Sequence, residues 1–225
     1  MKENYICITG ASRGIGLALV EEYIERGKKV LAVSRNAERI PFKNENLTTL
    51  SADISTGEGR KMIVSFFSDN RSLHTLIHNA GKLLFKPFRE IEEKELKEVY
   101  EVNVFSPFLL TRDLYSYMEE CHIINISSVG GVEDTLKFGG LSAYSSSKAA
   151  LNCLTQMWAE EFKDSGHTFN CLALGSVQTE MFEEAFPGVE ASCNPETMAR
   201  FIADFDESAR PVMNGKIISI NRSNP

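Results

Sequence analysis

Thr9-Gly10-Ala11-Ser12-Arg13-Gly14-Ile15-Gly16 is the stretch on which the reading of the fold turns. It follows directly on the apolar run Tyr5–Thr9. Immediately after it, Ile15, Leu19 and Tyr23 recur every four residues, the spacing of an amphipathic helix that stops at Gly27. Glycines let a backbone turn tightly and come close to a bound group. A helix that starts there points its free N–H groups and the positive end of its dipole at an anion. A glycine triplet alone is weak evidence and also occurs in purely structural turns. With a strand before it and a helix after it, the stretch reads as a pyrophosphate-binding turn, with Gly10, Ser12, Arg13, Gly14, Ile15 and Gly16 as contact residues.

Outward from this turn, strand-like and helix-like segments alternate along the chain. Tyr5–Thr9, 29–34, 47–53, 73–79, 121–127, 168–174 and 215–220 read as strands, and several are apolar nearly throughout, as strands buried on both faces are. Residues 93–118 and 144–165 read as long helices. The order implies right-handed crossovers and an α/β fold: a Rossmann-type doubly wound parallel sheet of seven strands with helices on both faces, one domain over residues 1–225. Residues 176–195, with Gly175, Pro187, Gly188 and Pro195 in or beside them, read as a substrate loop beside the ligand crevice at the carboxyl end of a strand.

Composition narrows the function. The 225 residues are 43% hydrophobic and 24% charged, the balance of a water-soluble globular chain. A net charge of −7 argues against a general nucleic-acid surface but leaves room for an anionic cofactor held locally. No apolar run reaches membrane-span length, the first strand follows Met1-Lys2-Glu3-Asn4 without space for a signal peptide, and the location expected is the cytoplasm. Cys7, Cys121, Cys153, Cys171 and Cys193 lack metal or disulfide spacing and read as reduced core thiols, and no metal is expected.

The end of the second strand discriminates between cofactors. A carboxylate there takes the ribose 2′-hydroxyl of NAD, whereas arginine suits the 2′-phosphate of NADP. Ser34-Arg35 stands at this place, with Arg13 as a second guanidinium in the glycine turn, so NADP(H) is favoured over NAD(H), although both arginines would also suit a solvated surface. Tyr144 and Lys148 share one face at the start of a helix. A phenol titrates at about 10, and a neighbouring ammonium lowers that value, which would make Tyr144 an acid/base near neutrality. A Tyr-x-x-x-Lys pair is common by chance. Its weight comes from Ser127-Ser128, Asn79-Ala80-Gly81 and Asn103, which the same topology brings to the carboxyl edge of the sheet.

With these residues in this order, the chain resembles the short-chain dehydrogenase/reductase family over nearly its whole length. The motifs are Thr9-Gly-x-x-x-Gly14-x-Gly16, Asp53, Asn79-Ala80-Gly81, Asn103, Ser128, Tyr144-x-x-x-Lys148 and the stretch Asn170–Thr179. The resemblance implies Tyr144 as general acid/base, and Lys148 as partner of the nicotinamide ribose and tuner of Tyr144. It implies Ser128 at the substrate oxygen and Asn103 holding a water of a proton relay. It places Asp53 and Ile54 at the adenine, Asn79, Ala80 and Gly81 along the cofactor, and Val177 and Thr179 at the carboxamide. Three departures stand out. Leu174-Gly175 replaces the usual Pro-Gly, which would loosen that turn. The stretch Glu133–Gly140 lengthens the loop between Ser128 and Tyr144. Asn221-Arg222-Ser223 replaces Asp-Gly-Gly near the end of the chain.

The expected activity is hydride transfer between NADP(H) and a small-molecule carbonyl or alcohol. A catalytically silent NADP(H)-binding regulatory protein is the alternative, and a sugar-nucleotide epimerase is disfavoured by the glycine spacing. A homodimer or homotetramer is expected by family analogy, with Trp158 facing either a partner subunit or the core. Leu84, Phe85, Phe88, Met181, Phe182 and Phe186 form either an apolar substrate wall or ordinary loop packing.

Overall fold

The computed structural model describes residues 2–68 and 70–221. Seven strands, β1 (Glu3–Thr9), β2 (Lys29–Ser34), β3 (Leu47–Ser51), β4 (Arg71–His78), β5 (Met118–Ser128), β6 (Thr168–Leu174) and β7 (Lys216–Ile220), form one sheet in the order β3-β2-β1-β4-β5-β6-β7. Every pairing is parallel. The order reverses between β1 and β4, so a crevice opens where their carboxyl ends diverge, the place where doubly wound sheets bind ligands.

Strand alternation distributes the core between two faces. Ile6, Ile8, Val30, Ala32 and Ile77 join one apolar cluster under α1 (Gly14–Glu25) and α7 (Pro195–Ala209). Cys7, Leu31, Val33 and Leu76 join the opposite one, under α2 (Gly57–Phe67), α4 (Ser106–Leu114) and α5 (Ser142–Glu161). Neighbouring residues of one strand thus serve opposite faces, which is why the strands read as continuous apolar runs. Trp158 is buried between Phe108 and Phe169, so it is core and not a partner contact.

On the buried face of α7, Asp206 is only 2% exposed. Its carboxylate accepts hydrogen bonds from Tyr23 (3.0 Å), Thr75 (2.9 Å), His122 Nδ1 (2.9 Å) and Arg210 (2.9 Å). These donors hold its pKa below the usual carboxylate value against the opposing effect of burial. The network ties α1, β4, β5 and α7 together.

Several sequence expectations need correction. The segment 93–118 is not one helix. It comprises α3 (Glu93–Tyr100), a π turn (Glu101–Phe105), α4 and a 3₁₀ turn (Tyr115–Tyr117), and β5 already begins at Met118. Pro107 explains the break: it has no N–H for the Asn103 carbonyl four residues earlier, and its ring crowds that carbonyl. The Ser106 hydroxyl also donates to Glu101 O (2.7 Å). Residues 176–195, the expected substrate loop, are not irregular throughout. They hold α6 (Glu180–Ala185) and are closed by Gln178 N–H on Cys193 O (2.8 Å) and Ala191 N–H on Gln178 Oε1 (2.8 Å). The Leu174-Gly175 turn is tied to β7 by Gly175 N–H on Ile220 O (2.8 Å). Of the departure at Asn221-Arg222-Ser223, residues 222–225 lie outside the described residues.

Candidate functional site

The glycine turn is built for close approach. Gly10 has φ +68°, and a Cβ there would lie 2.8 Å from Ala80 Cα; at Gly16 a Cβ would meet the Gly10 carbonyl oxygen at 2.2 Å. Any side chain at either position would push the turn apart. Thr9, whose hydroxyl accepts from Asn79 N–H (3.2 Å) and Ala80 N–H (3.1 Å), joins the end of β1 to that of β4. The Asn79 side chain reinforces this by donating to the carbonyls of Thr9 and Gly10, both at 3.1 Å. Asn79 and Ala80 therefore shape the floor of the crevice.

Around this floor, Ser12 and Ile15 are half-buried and Arg13 is exposed. Arg13 faces Glu184 of α6 at 3.6 Å. Ser34 is buried at the end of β2, and its hydroxyl has no hydrogen-bond partner among the described residues. Arg35 beside it is exposed. Asp53 Oδ1 accepts from the N–H (2.9 Å) and hydroxyl (2.7 Å) of Ser55, shaping the turn into α2, while Ile54 is packed into the core. Val177 is also core, and Thr179 caps α6, its hydroxyl accepting from Phe182 N–H (3.2 Å). The Thr179 methyl would be 3.0 Å from a Cβ on Gly14, so α6 lies against the glycine turn.

Ser128, Tyr144, Lys148 and Asn103 are brought together at the neighbouring edge. Ser128 ends β5 and lies beside Tyr144 near the start of α5. Ser127, its neighbour on β5, instead donates to Lys148 O (3.3 Å) and is buried. One turn on from Tyr144, Lys148 is 3% exposed and donates from Nζ to Ile126 O (2.8 Å). Position 81 opens onto both Lys148 Nζ, 3.6 Å from where a Cβ would be, and Asn103 Oδ1 at 3.5 Å. Asn103, in the π turn, accepts from Lys82 N–H (2.8 Å) and donates to Lys82 O (2.9 Å) and Ser147 Oγ (2.9 Å).

The electrostatics differ from the sequence expectation. Burial pushes the Tyr144 hydroxyl up to about 12, and the Ser128 hydrogen bond only partly opposes it. Burial also draws Lys148 down to about 8. The expected lowering of Tyr144 by the ammonium is absent here: Nζ lies 5.7 Å from the centre of the phenol ring and is directed to the Ile126 carbonyl. His78 is likewise drawn down to about 3 by burial and the Lys148 charge, with Nε2 on Thr111 Oγ1 (2.8 Å).

A cradle that a single Cβ would fill, a buried hydroxyl without a partner and two exposed guanidinium groups along one crevice fit a dinucleotide phosphate group. A sequence model of the short chain dehydrogenases matches residues 4–190. The chain belongs to that family.

This short-chain dehydrogenase is therefore an NAD(P)-dependent oxidoreductase of a small molecule. It is 33% identical over 189 residues to benzil reductase ((S)-benzoin forming) of Bacillus subtilis, covering 80% of this chain and 76% of that one. In structure it is similar to ElxO with NADP bound, with a TM-score of 0.84, 25% identity and 98% and 97% coverage. It shares its fold with 4-hydroxyisoleucine dehydrogenase complexed with NADH, with a TM-score of 0.87, 24% identity and 97% coverage of both chains. Among the described residues no helix is long and apolar enough to cross a membrane, and no group of three or more His, Cys, Asp or Glu side chains is placed to hold a metal ion. Reading the sequence did not single out Ser147 or Lys82, which grip Asn103, or the Ile126 carbonyl that holds Lys148. Ser147 carried a signal, its place inside Tyr144-x-x-x-Lys148; the other two carried none.

Proposed function

We propose that this short-chain dehydrogenase reduces a carbonyl compound with NADP(H), or oxidises the matching alcohol, with Tyr144 as the general acid/base. The observation that carries this is the placing of Ser128 beside Tyr144, near enough to act on its hydroxyl, with Lys148 buried one helical turn away. Bound nicotinamide supplies or accepts the hydride. A phenol raised to about 12 is fully protonated at neutral pH and is a donor for the oxygen of a carbonyl that accepts hydride. Ser128 stabilises the charge that develops on that oxygen. Lys148, drawn down to about 8 and with one N–H committed to Ile126, has further donors for ribose hydroxyls and a proton to return to Tyr144. Asn103 positions Lys82 and α5 around it.

For the cofactor, Gly10, Ser12, Gly14, Ile15 and Gly16 would hold the pyrophosphate. Ser34, Arg35 and Arg13 would hold the 2′-phosphate, and Asp53 and Ile54 the adenine. Asn79, Ala80, Gly81, Val177 and Thr179 would line the remainder. The unpartnered Ser34 hydroxyl beside Arg35 supports NADP(H) over NAD(H). No observation favours the catalytically silent reading. The chain acts as one domain, in the cytoplasm, as a homodimer or homotetramer; the exposed Phe105, Phe108 and Met157 on and beside α4 and α5 support a contact between copies.

Titration with NADPH and NADH, followed by nicotinamide fluorescence, tests the cofactor. NADPH preference that Arg35→Ala weakens is expected, and NADH preference overturns it. Tyr144→Phe that binds NADPH yet turns over carbonyl substrates at the full rate would sink the acid/base assignment.

A further inference from the structure

Three segments leave the carboxyl ends of the adjacent strands β4, β5 and β6 and frame the mouth above Ser128 and Tyr144. Their aromatic side chains meet. The Phe85 and Phe186 rings are 5.4 Å apart, and Phe186 is 5.2 Å from Phe182. The Phe85 ring rests on Gly140, where a Cβ would come within 3.0 Å of Cε2, and Lys86 N–H on Gly140 O (2.9 Å) fixes that contact. Gly140 has φ +85° and lies four residues before Tyr144, so the row of rings is tied to the catalytic helix by its own lead-in. Phe85 nevertheless remains 50% exposed, and Leu136 and Phe138 on the β5 segment are as open. Phe182 and Phe186 are half-buried beside it, so the touching rings form a wall whose open side is carried by Phe85.

The charge of the same segments is one-sided. Residues 82–92, 132–140 and 176–195 carry eight acids against four cations. Three of the cations are engaged within the protein: Lys82 on Glu98, Lys86 on Glu95 (2.8 Å), and Lys137 on Val132 O and Thr135 Oγ1 (2.8 Å). Even with Glu184 facing Arg13, an anionic substrate or acyl carrier would approach segments whose acids outnumber their cations, and a neutral one would meet only the rings.

We propose that the substrate is a neutral carbonyl compound with an aryl or similarly flat apolar group, seated on Phe85, Phe186 and Phe182 with its carbonyl at Ser128 and Tyr144, and that anionic acyl carriers are disfavoured. This rests on the carbonyl-reductase reading above. It makes Phe85 a specificity-determining residue.

Binding separates the two readings, because it needs no turnover. The Tyr144→Phe protein saturated with NADPH is titrated with phenylacetone, butanone, 4-carboxyphenylacetone and acetoacetyl-CoA, followed by cofactor fluorescence, and wild-type turnover is measured on the same four. Phenylacetone is expected to bind about tenfold or more tighter than butanone, the order of discrimination a well-formed apolar pocket gives. Adding Phe85→Ala is expected to bring that ratio down to about threefold or less. The carboxylated ketone is expected to bind more weakly than phenylacetone at low salt, and the gap to narrow at high salt. Equal binding of phenylacetone and butanone, tighter binding of acetoacetyl-CoA, or a ratio that Phe85→Ala leaves intact overturns the inference, as does no binding of any aryl ketone. Aryl-ketone binding without wild-type turnover overturns the carbonyl-reductase reading and leaves the aromatic wall standing.

Discussion

Two side chains one helical turn apart are moved in opposite directions by the same cause. Burial raises the Tyr144 hydroxyl to about 12 and draws Lys148 down to about 8, because each loses its charged form when water is removed. Replacing Tyr144 by Phe is expected to lower kcat by about 10²–10⁴-fold, the usual worth of a general acid, with NADPH affinity retained in the fluorescence titration. Lys148 makes a second prediction. Its folded pKa lies below its ordinary value of 10.5, so between about 8 and 10.5 the unfolded chain binds the extra proton and stability rises with pH. Urea unfolding at pH 7 and pH 10 should show wild type gaining on Lys148→Met by up to about 3 kcal/mol. The pairing of Tyr144 with Lys148 was legible from their spacing taken together with Ser127-Ser128, Asn79-Ala80-Gly81 and Asn103. The direction of the tyrosine shift was not, because desolvation depends on which strands and helices close over the ring, and that is absent from a four-residue interval.

At the scale of elements, α6 is the piece whose place matters most. Thr179 sets it against Gly14, and Glu184 meets Arg13 at 3.6 Å. For Arg13 to take a phosphate it must give up that carboxylate. Both side chains are substantially exposed, and such pairs are worth about 0–1 kcal/mol. Glu184→Gln is therefore expected to tighten NADPH by about fivefold at most, an effect that shrinks as salt is raised, whereas NADPH affinity unchanged at low salt would show that the contact does not compete. Sequence patterning was least informative here. Glycine and proline between residues 175 and 195 read as a loop, but Thr179 supplies an N-cap and Gln178 a brace to Cys193 and Ala191, and neither carries a periodic signal. The apolar spacing of Met198, Ile202, Phe205 and Ala209 matches the buried face of α7. Pro107 was the visible warning that 93–118 is not a single helix.

Across the whole molecule, the two faces of the sheet are held by different means. The face under α7 depends on Asp206, which gathers donors from α1, β4 and β5. Asp206→Ala leaves them buried without an acceptor and is expected to lower unfolding stability in urea by about 3–5 kcal/mol. Assembly gives another test: Phe108→Asp, on the exposed flank of α4, is expected to shift the light-scattering mass to that of one chain, and an unchanged mass would exclude that flank as the contact. The sheet itself was readable because parallel strands buried on both faces are apolar nearly throughout. The Asp206 network was not, since Tyr23 and Asp206 are 183 positions apart and nothing local links them. The strand order also gives the molecule a history. Having no hairpins, the sheet extends outward from β1, and β4 is complete at His78, well before Ser128, Tyr144 or Lys148 has been synthesised. In vectorial growth on the ribosome, the glycine turn and its Thr9–Asn79 floor are made first, so a nascent chain holds the parts of a dinucleotide cradle for several seconds before it owns an acid–base pair.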